Sequence, residues 1–387
     1  MTDSEQPIFE PDALGRTGTA GEVIDAGRGR IFPCPQCGAD LEFHIGQQQL
    51  ACPYCGGRQP IDLPPDAAIV EQDYEAVLSR LRQLKAQGAD GSRLAAGEHE
   101  IRCESCGANV LFQGTLTSRT CPYCASPLQR DQVHDAPLRI PVDGVLPFLI
   151  PRERVAAQLR AWVRSLWFAP NDFQRDGVQG KFHGCYFPYY TFDSITYTRW
   201  TGERGDHYWV TVQDGKETKR VRKTRWTSCA GAFQRVFDDV LVLALKDDRL
   251  ALLQRLEPWP LGKCQPYTPQ LLAGLFSRTY DVPVEEGFAE ARRQMEAAIV
   301  ADIRRRIGGD EQRVTSWNTS HRAVTFKHIL LPVWLMAYRY KGKLYRVTMN
   351  AATGEVQGER PWSWVKITVL VAVILLAALL IVGLSSR

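Results

Sequence analysis

The sequence predicts an α+β protein with two tandem zinc ribbons, a mixed antiparallel-sheet and helix domain, and one C-terminal transmembrane helix. Three observations predict it. Eight of the eleven cysteines fall into four C-x-x-C pairs. Between residues 137 and 360, aromatic and β-branched runs alternate with amphipathic helical stripes. The last stretch, Ile367 to Leu384, reads ITVLVAVILLAALLIVGL without a charge.

Composition sets bounds. A chain of 387 residues has room for two or three domains and a real core. The net charge of +4 gives no global field that would select nucleic acid. Aromatic residues at 10% favour folded structure over disorder. Paired C-x-x-C cysteines in a reducing compartment point to metal before disulfide.

Residues 1–30 are polar and carry no chemistry, so they read as a disordered tail. The opening MTDSEQPIFEPDALGRTG has no apolar core of a signal peptide. The first ribbon spans 31–62, CPQCGADLEFHIGQQQLACPYCGG, with Cys34 and Cys37 in one knuckle and Cys52 and Cys55 in the other. Gly38 and Gly56 supply the permissive backbone that each tight turn needs. Leu41, Phe43 and Ile45 alternate as a hairpin strand would. The fourteen residues between the pairs let that hairpin bring the knuckles together. Four thiolates then hold one tetrahedral Zn²⁺, with rubredoxin-like iron as the competing metal.

The unit recurs sixty-nine residues later, in a second ribbon over 98–130, with Cys103, Cys106, Cys121 and Cys124 at the same fourteen-residue interval. Nine of twenty-two positions match, which marks an internal repeat. Two all-cysteine sites imply two structural Zn²⁺, since neither leaves a position open for water. Between them, 63–97 reads as helix and linker: Tyr74, Val77, Leu78, Leu81 and Leu84 recur at helical spacing. Packing within the chain is the expected use of that stripe, ahead of a partner face.

The α+β domain runs from 137 to 360. Val155, Leu159, Trp162, Val163 and Leu166 form a helical stripe, and FHGCYFPYYTFDSITYTRW reads as strand. HYWVTVQDGKETKRVRKTRW reads as a hairpin turning at Asp214-Gly215. Helices are expected near 269–279 and from about 284 to 307, the latter buried through Phe288, Met295, Ile299 and Ile303. Three short strands with turns at Lys341-Gly342 and Thr353-Gly354 end the domain. Phe182 and Pro188 share an offset of 144 with Phe326 and Pro332, which hints at two related sheet edges.

The transmembrane helix is placed at 365–384. Eighteen uncharged residues make roughly 27 Å of helix, close to the bilayer core. Trp362 and Trp364 stand where an aromatic belt would sit. Arg339, Lys341, Lys343, Arg346, Arg360 and Lys366 precede the span and Arg387 alone follows it. That asymmetry predicts a single-pass cell-membrane protein with its N-terminal domains in the cytoplasm.

Motifs for catalysis are missing from the sequence. The Gly-Lys pairs at 180, 215, 262 and 342 lack the remainder of a P-loop, and neither G-x-S-x-G nor H-E-x-x-H occurs. Cys185, Cys229 and Cys264 are left over from the ribbons. His183 lies two residues from Cys185, but the surrounding aromatics favour a small buried thiol over a nucleophile. Asp238-Asp239 and Asp247-Asp248 read as turn or capping residues before paired catalytic carboxylates. The run Lys216, Lys219, Arg220, Arg222, Lys223 and Arg225 reads first as a solvated strand face. Its functional reading is a contact for anionic lipid or nucleic acid, lipid being slightly preferred beside a membrane anchor. Arg304, Arg305 and Arg306 complement a helix C-terminus.

Together with CPQCG…CPYCG and CESCG…CPYC, the stretches RSLWFAPNDF, RKTRW, FDDVLVLALK, LEPW, PYTPQLLAGLF and LLPVWLMAYRYKGKLYRVTMNAATGEVQGERPWS carry a resemblance. Over about residues 30–385 the chain resembles a bacterial family of membrane-anchored double zinc-ribbon proteins, labelled TFIIB-type zinc ribbon or primosomal protein N′ (replication factor Y)-like. The helicase label does not transfer, because no ATP site is present. Ala125 departs from the pattern where the first ribbon has Gly56. The resemblance implies recruitment of a flotillin-like (SPFH) scaffold or a phage-shock-type envelope-stress protein. The expected function is therefore a non-enzymatic, tail-anchored membrane adaptor whose ribbons bind protein partners. The alternative is a membrane-tethered nucleic-acid-binding protein linked to replication or transcription.

Overall fold

A computed structural model describes residues 32–61, 68–86, 98–102, 109–113, 118–120, 127–129, 140–176, 182–214, 217–246 and 252–385. The expected tail over 1–30, the four cysteines of the second ribbon, Lys216 and Asp247-Asp248 lie outside them.

In chain order, the first ribbon supplies β1 (Glu42–His44), β2 (Gln49–Ala51) and β3 (Arg58–Gln59). Then come β4 (Gln72–Asp73), α1 (Tyr74–Ala86), β5 (Glu98–Arg102), β6 (Asn109–Gln113), β7 (Ser118–Thr120), β8 (Pro127–Gln129) and β9 (Gly144–Val145). The body continues with α2 (Arg152–Ser165), α3 (Asn171–Asp176), β10 (His183–Asp214), β11 (Glu217–Leu243), β12 (Gln265–Pro266) and β13 (Phe276–Arg278). It ends with α4 (Val284–Ile307), β14 (Glu311–Tyr340), β15 (Lys343–Asn350), β16 (Val356–Gly358) and α5 (Trp364–Ser385).

The architecture corrects the expected α+β class: antiparallel sheet is the largest component of the described chain, with few helices. An 11-stranded sheet is built around β10, β11 and β14. These three strands are 32, 27 and 30 residues long, against about 5–6 for an ordinary strand. Their burial pattern explains the length. In the first part of β10, Cys185, Tyr186, Phe187, Tyr189, Tyr190 and Phe192 are all buried, as in a strand covered on both faces. From Phe192 to Trp200 burial alternates, so only one face meets a layer of helix. That layer is α4, whose Phe288, Met295, Ile299 and Ile303 cluster with Tyr190, Phe192, Trp200 and Phe326. Gly287 permits the close approach, since a Cβ there would stand 2.8 Å from the Tyr190 ring. Irregularities at Asp193 in the pairing with β11 and at Ser194 in the pairing with β14 bend the sheet between its two regimes.

Two local expectations also change. The segment expected as helix over 269–279 is a 3₁₀ turn, Pro269–Leu272, followed by β13. The first of the three short terminal strands is β14, which starts at Glu311. Its opening half, EQRVTSWNTSHRAVT, is mostly exposed, so polarity masked a strand there. The offset of 144 joins β10 and β14, which are antiparallel neighbours with Phe192 opposite Phe326. On α1, Tyr74 and Leu78 are buried against α4 and the sheet.

The expected transmembrane helix is also corrected. Among the described residues no helix is long and apolar enough to cross a membrane. Lys366, expected at a membrane edge, donates instead to the carbonyls of Trp167 (3.0 Å) and Ala169 (2.8 Å). The Trp362 ring lies 6.3 Å from that of Phe168. The single-pass membrane localisation rested on this span and falls with it.

Candidate metal centre

Cys34, Cys37, Cys52 and Cys55 converge, with all four sulfurs within 4.8 Å of one another. The Sγ atoms of Cys34 and Cys55 are 3.5 Å apart, as are those of Cys37 and Cys52. A tetrahedral zinc with Zn–S of about 2.3 Å would set its sulfurs about 3.8 Å apart, so the donor set fits such an ion with small adjustment. The two knuckles are built alike. The Gly38 amide donates to Cys34 O (2.8 Å) and the Gly56 amide to Cys52 O (3.1 Å). The chain then turns back so that Cys34 N meets Ala39 O and Cys52 N meets Gly57 O, both at 2.7 Å. Gly38 and Gly56 take φ of 70° and 75°, the left-handed region that favours glycine.

Electrostatics suits thiolate ligation. Backbone amides at Gln36 and Cys37 pull the Cys34 thiol below its usual value. The amide of Cys55 leads the effects that bring Cys52 down to about 6. Cys55 accepts from the Gly57 amide, yet the neighbouring thiols of Cys34 and Cys37 push it up to about 12. Four thiols this close cannot all ionise without a cation among them. A cluster of four cysteines that can hold a metal ion is therefore present in the first ribbon.

The ribbon is seated on the body. Cys34, Leu41, Phe43, Leu50 and Cys52 are buried in one cluster with Phe148, Leu271, Leu272 and Trp334. The Phe43 amide donates to Ala273 O (3.0 Å). Between ribbon and sheet lies a cleft of about 560 Å³, whose polar lining includes Glu42, His44, Arg152, Glu153 and His183.

The second set, Cys103, Cys106, Cys121 and Cys124, lies outside the described residues, but the strands beside it are described. β7 and β8 begin sixty-nine residues after β2 and β3, the offset of the repeat, and pair antiparallel as β2 and β3 do. β6 pairs with β5 and β13. The corresponding strands of the two ribbons, β1 and β6, thus meet the same body segment, at Ala273 and at Ser277–Arg278.

The other candidates separate. Cys185 is fully buried, and His183, two residues away on β10, lies 6.2 Å ring to ring from Phe276. Burial, with the negative charge of Asp239, pushes the Cys264 thiol up to about 12, which disfavours a nucleophile. Cys229 is partly exposed on β11. Lys219, Arg220, Arg222, Lys223 and Arg225 are exposed along β11.

A charged cluster escaped the sequence reading. Lys327 Nζ lies 2.8 Å from Asp239, 3.1 Å from Glu71 and 3.9 Å from Asp193. Asp193, Asp238 and Asp239 stand close enough to hold a metal, but the lysine ammonium already supplies positive charge there. Burial, aided by Glu71, raises Asp193 to about 6 despite the opposing pull of Lys327 and the Asp239 amide. The available signal was a lone charge inside each of two apolar strand runs, Asp193 in YYTFDSIT and Lys327 in TFKHILL.

No family model matches the chain, and no solved structure matches it. A curated relative, described as the uncharacterized protein YdjG of Bacillus subtilis (strain 168), is 25% identical over 345 residues, covering 86% of this chain and 90% of that one. The chain is thus similar, over nearly its whole length, to a protein of undescribed function.

Proposed function

We propose that this protein is a non-enzymatic adaptor that holds zinc in its ribbons and presents them to protein partners. The observation that supports this best is the closed set of four thiols at Cys34, Cys37, Cys52 and Cys55. A catalytic zinc keeps a position for water, and four sulfurs leave none. The repeat extends the same chemistry to Cys103, Cys106, Cys121 and Cys124, for two structural zinc ions per chain. Zinc stands in for an apolar core that so short a ribbon cannot build. Seating Phe43 and Leu50 in the body makes the first ribbon a rigid platform. Tyr54, on its second knuckle, is 82% exposed, and aromatics of this kind anchor protein interfaces. The family resemblance makes a flotillin-like or envelope-stress scaffold the first candidate partner.

Purification of the tagged full chain, with and without nuclease, followed by mass spectrometry tests this. A stoichiometric protein partner that survives nuclease and is lost on Tyr54→Ala is expected. Recovery of protein partners only while nucleic acid is intact would contradict the adaptor reading.

A further inference from the structure

The hairpin of β10 and β11 outgrows the sheet that carries it. β14 pairs with β10 only as far as Gly205, opposite Glu311. Beyond that point β10 and β11 pair with each other alone for nine further rungs, from Asp206 and Arg225 to Asp214 and Glu217. At about 3.4 Å per residue this makes a two-stranded ribbon roughly 27 Å long. Its base is braced. Arg313 lies 3.7 Å over the Trp226 ring, and Glu311 accepts from Thr224 (3.0 Å) and contacts His207 Nε2 (2.7 Å). Asp310 accepts from the His207 amide at 2.7 Å.

Opposed residues of an antiparallel pair share a face. Lys219, Lys223 and Arg225 therefore lie on one face of the ribbon, and Arg220 and Arg222 on the other. Arg220, Arg222, Lys223 and Arg225 form no salt bridge among the described residues. Asp206, opposite Arg225, is held by Arg204 at 3.0 Å. Each face also shows an aromatic, Tyr208 (44% exposed) beside Lys223 and Trp209 (58% exposed) beside Arg222.

We propose that this arm binds duplex DNA by entering the major groove edge-on. A flat anionic surface would meet one face of the ribbon and leave the cations of the other unused. A groove has phosphates along both walls. The major groove is about 12 Å wide and admits a two-stranded ribbon. The chain as a whole carries only +4, so the attraction is local to the arm. Five cations on phosphates give a slope of log affinity against log salt of about −4 to −5.

The test is fluorescence anisotropy of the full chain with a duplex of about 25 base pairs, roughly three arm lengths, between 50 and 200 mM KCl. Wild type should lose affinity a few hundred-fold across that range. The variant Arg222→Ala/Lys223→Ala/Arg225→Ala should flatten the slope by about 3, at one per phosphate contact. A charge-matched control on the exposed side of α2, Arg154→Ala/Arg160→Ala/Arg164→Ala, should flatten it by less than about 1. Unchanged zinc content and circular dichroism in the arm variant show that it is folded. Absence of duplex binding at 50 mM KCl, equal slopes for arm and control variants, or equal affinity for single-stranded DNA would overturn the proposal. So would binding to phosphatidylserine vesicles without binding to duplex.

Discussion

Lys327 is the sharpest handle on the sheet. Its side chain is 16% exposed and touches three carboxylates, of which Asp193 is 14% exposed. In Lys327→Met the stem still packs, but Asp193, Glu71 and Asp239 face one another without a cation. Removing one partner of a buried pair costs about 3–5 kcal/mol. Glu71 and Asp239 are 42% and 34% exposed, so water screens part of the repulsion and the expected loss is about 2–3 kcal/mol at pH 7. The pH dependence carries the diagnosis. Burial, the first cause, raises Asp193 to about 6, so the folded state binds more protons there than the unfolded chain. Its contribution is thus fully present below the unfolded value near 4 and declines as pH rises through about 6. Losing the lysine removes its downward pull on Asp193 and Glu71, so protonation relieves the variant more than the wild type. Urea denaturation of both proteins at pH 5 and pH 7, followed by tryptophan fluorescence, should show a smaller deficit at pH 5. A deficit that is the same at both pH values would refute the electrostatic account and leave lost packing as the cause.

Further outcomes follow from other parts of the structure. Cys52→Ser should cut bound zinc from two to one per chain, and Cys121→Ser should do the same, as read by metal analysis of each full-length variant. Phe326→Ala removes a fully buried ring 6.0 Å from Phe192 and should cost about 3–5 kcal/mol in the same urea assay. Gly274 has φ of 74° and an added Cβ would meet Glu42 at 2.9 Å, so Gly274→Ala should destabilise the seating of the first ribbon by about 1–3 kcal/mol. Faster exchange of the Phe43 amide, which donates to Ala273, would report that loosening.

The ribbon was legible because metal ligation imposes spacing. Two C-x-x-C knuckles, each followed by a glycine, left little freedom for Cys34, Cys37, Cys52 and Cys55. The long helix α4 was legible through Phe288, Met295, Ile299 and Ile303, which repeat at its own period and are buried. The sheet was harder to read. Strands of ordinary length were expected, whereas β14 runs through a polar half whose outer face meets water. Local pattern does not reveal that such a half continues the strand, because its pairing with residues 195–205 of β10 is made more than a hundred residues away. Asp193 and Lys327 were missed for the same reason: each is an anomaly alone, and they make sense only when β10 and β14 lie side by side. The terminal apolar run misled in the other direction: its eighteen uncharged residues read as a span with Lys366 at the membrane edge, whereas no described helix is long and apolar enough to cross a membrane and Lys366 ties the start of α5 to Trp167 and Ala169.

The central claim is a closed, structural zinc site. Zinc-edge X-ray absorption of the purified full chain tests it most directly. The account predicts two zinc ions per chain with a first shell of four sulfurs at about 2.3 Å. A shell containing nitrogen or oxygen, or iron in place of zinc, would contradict it.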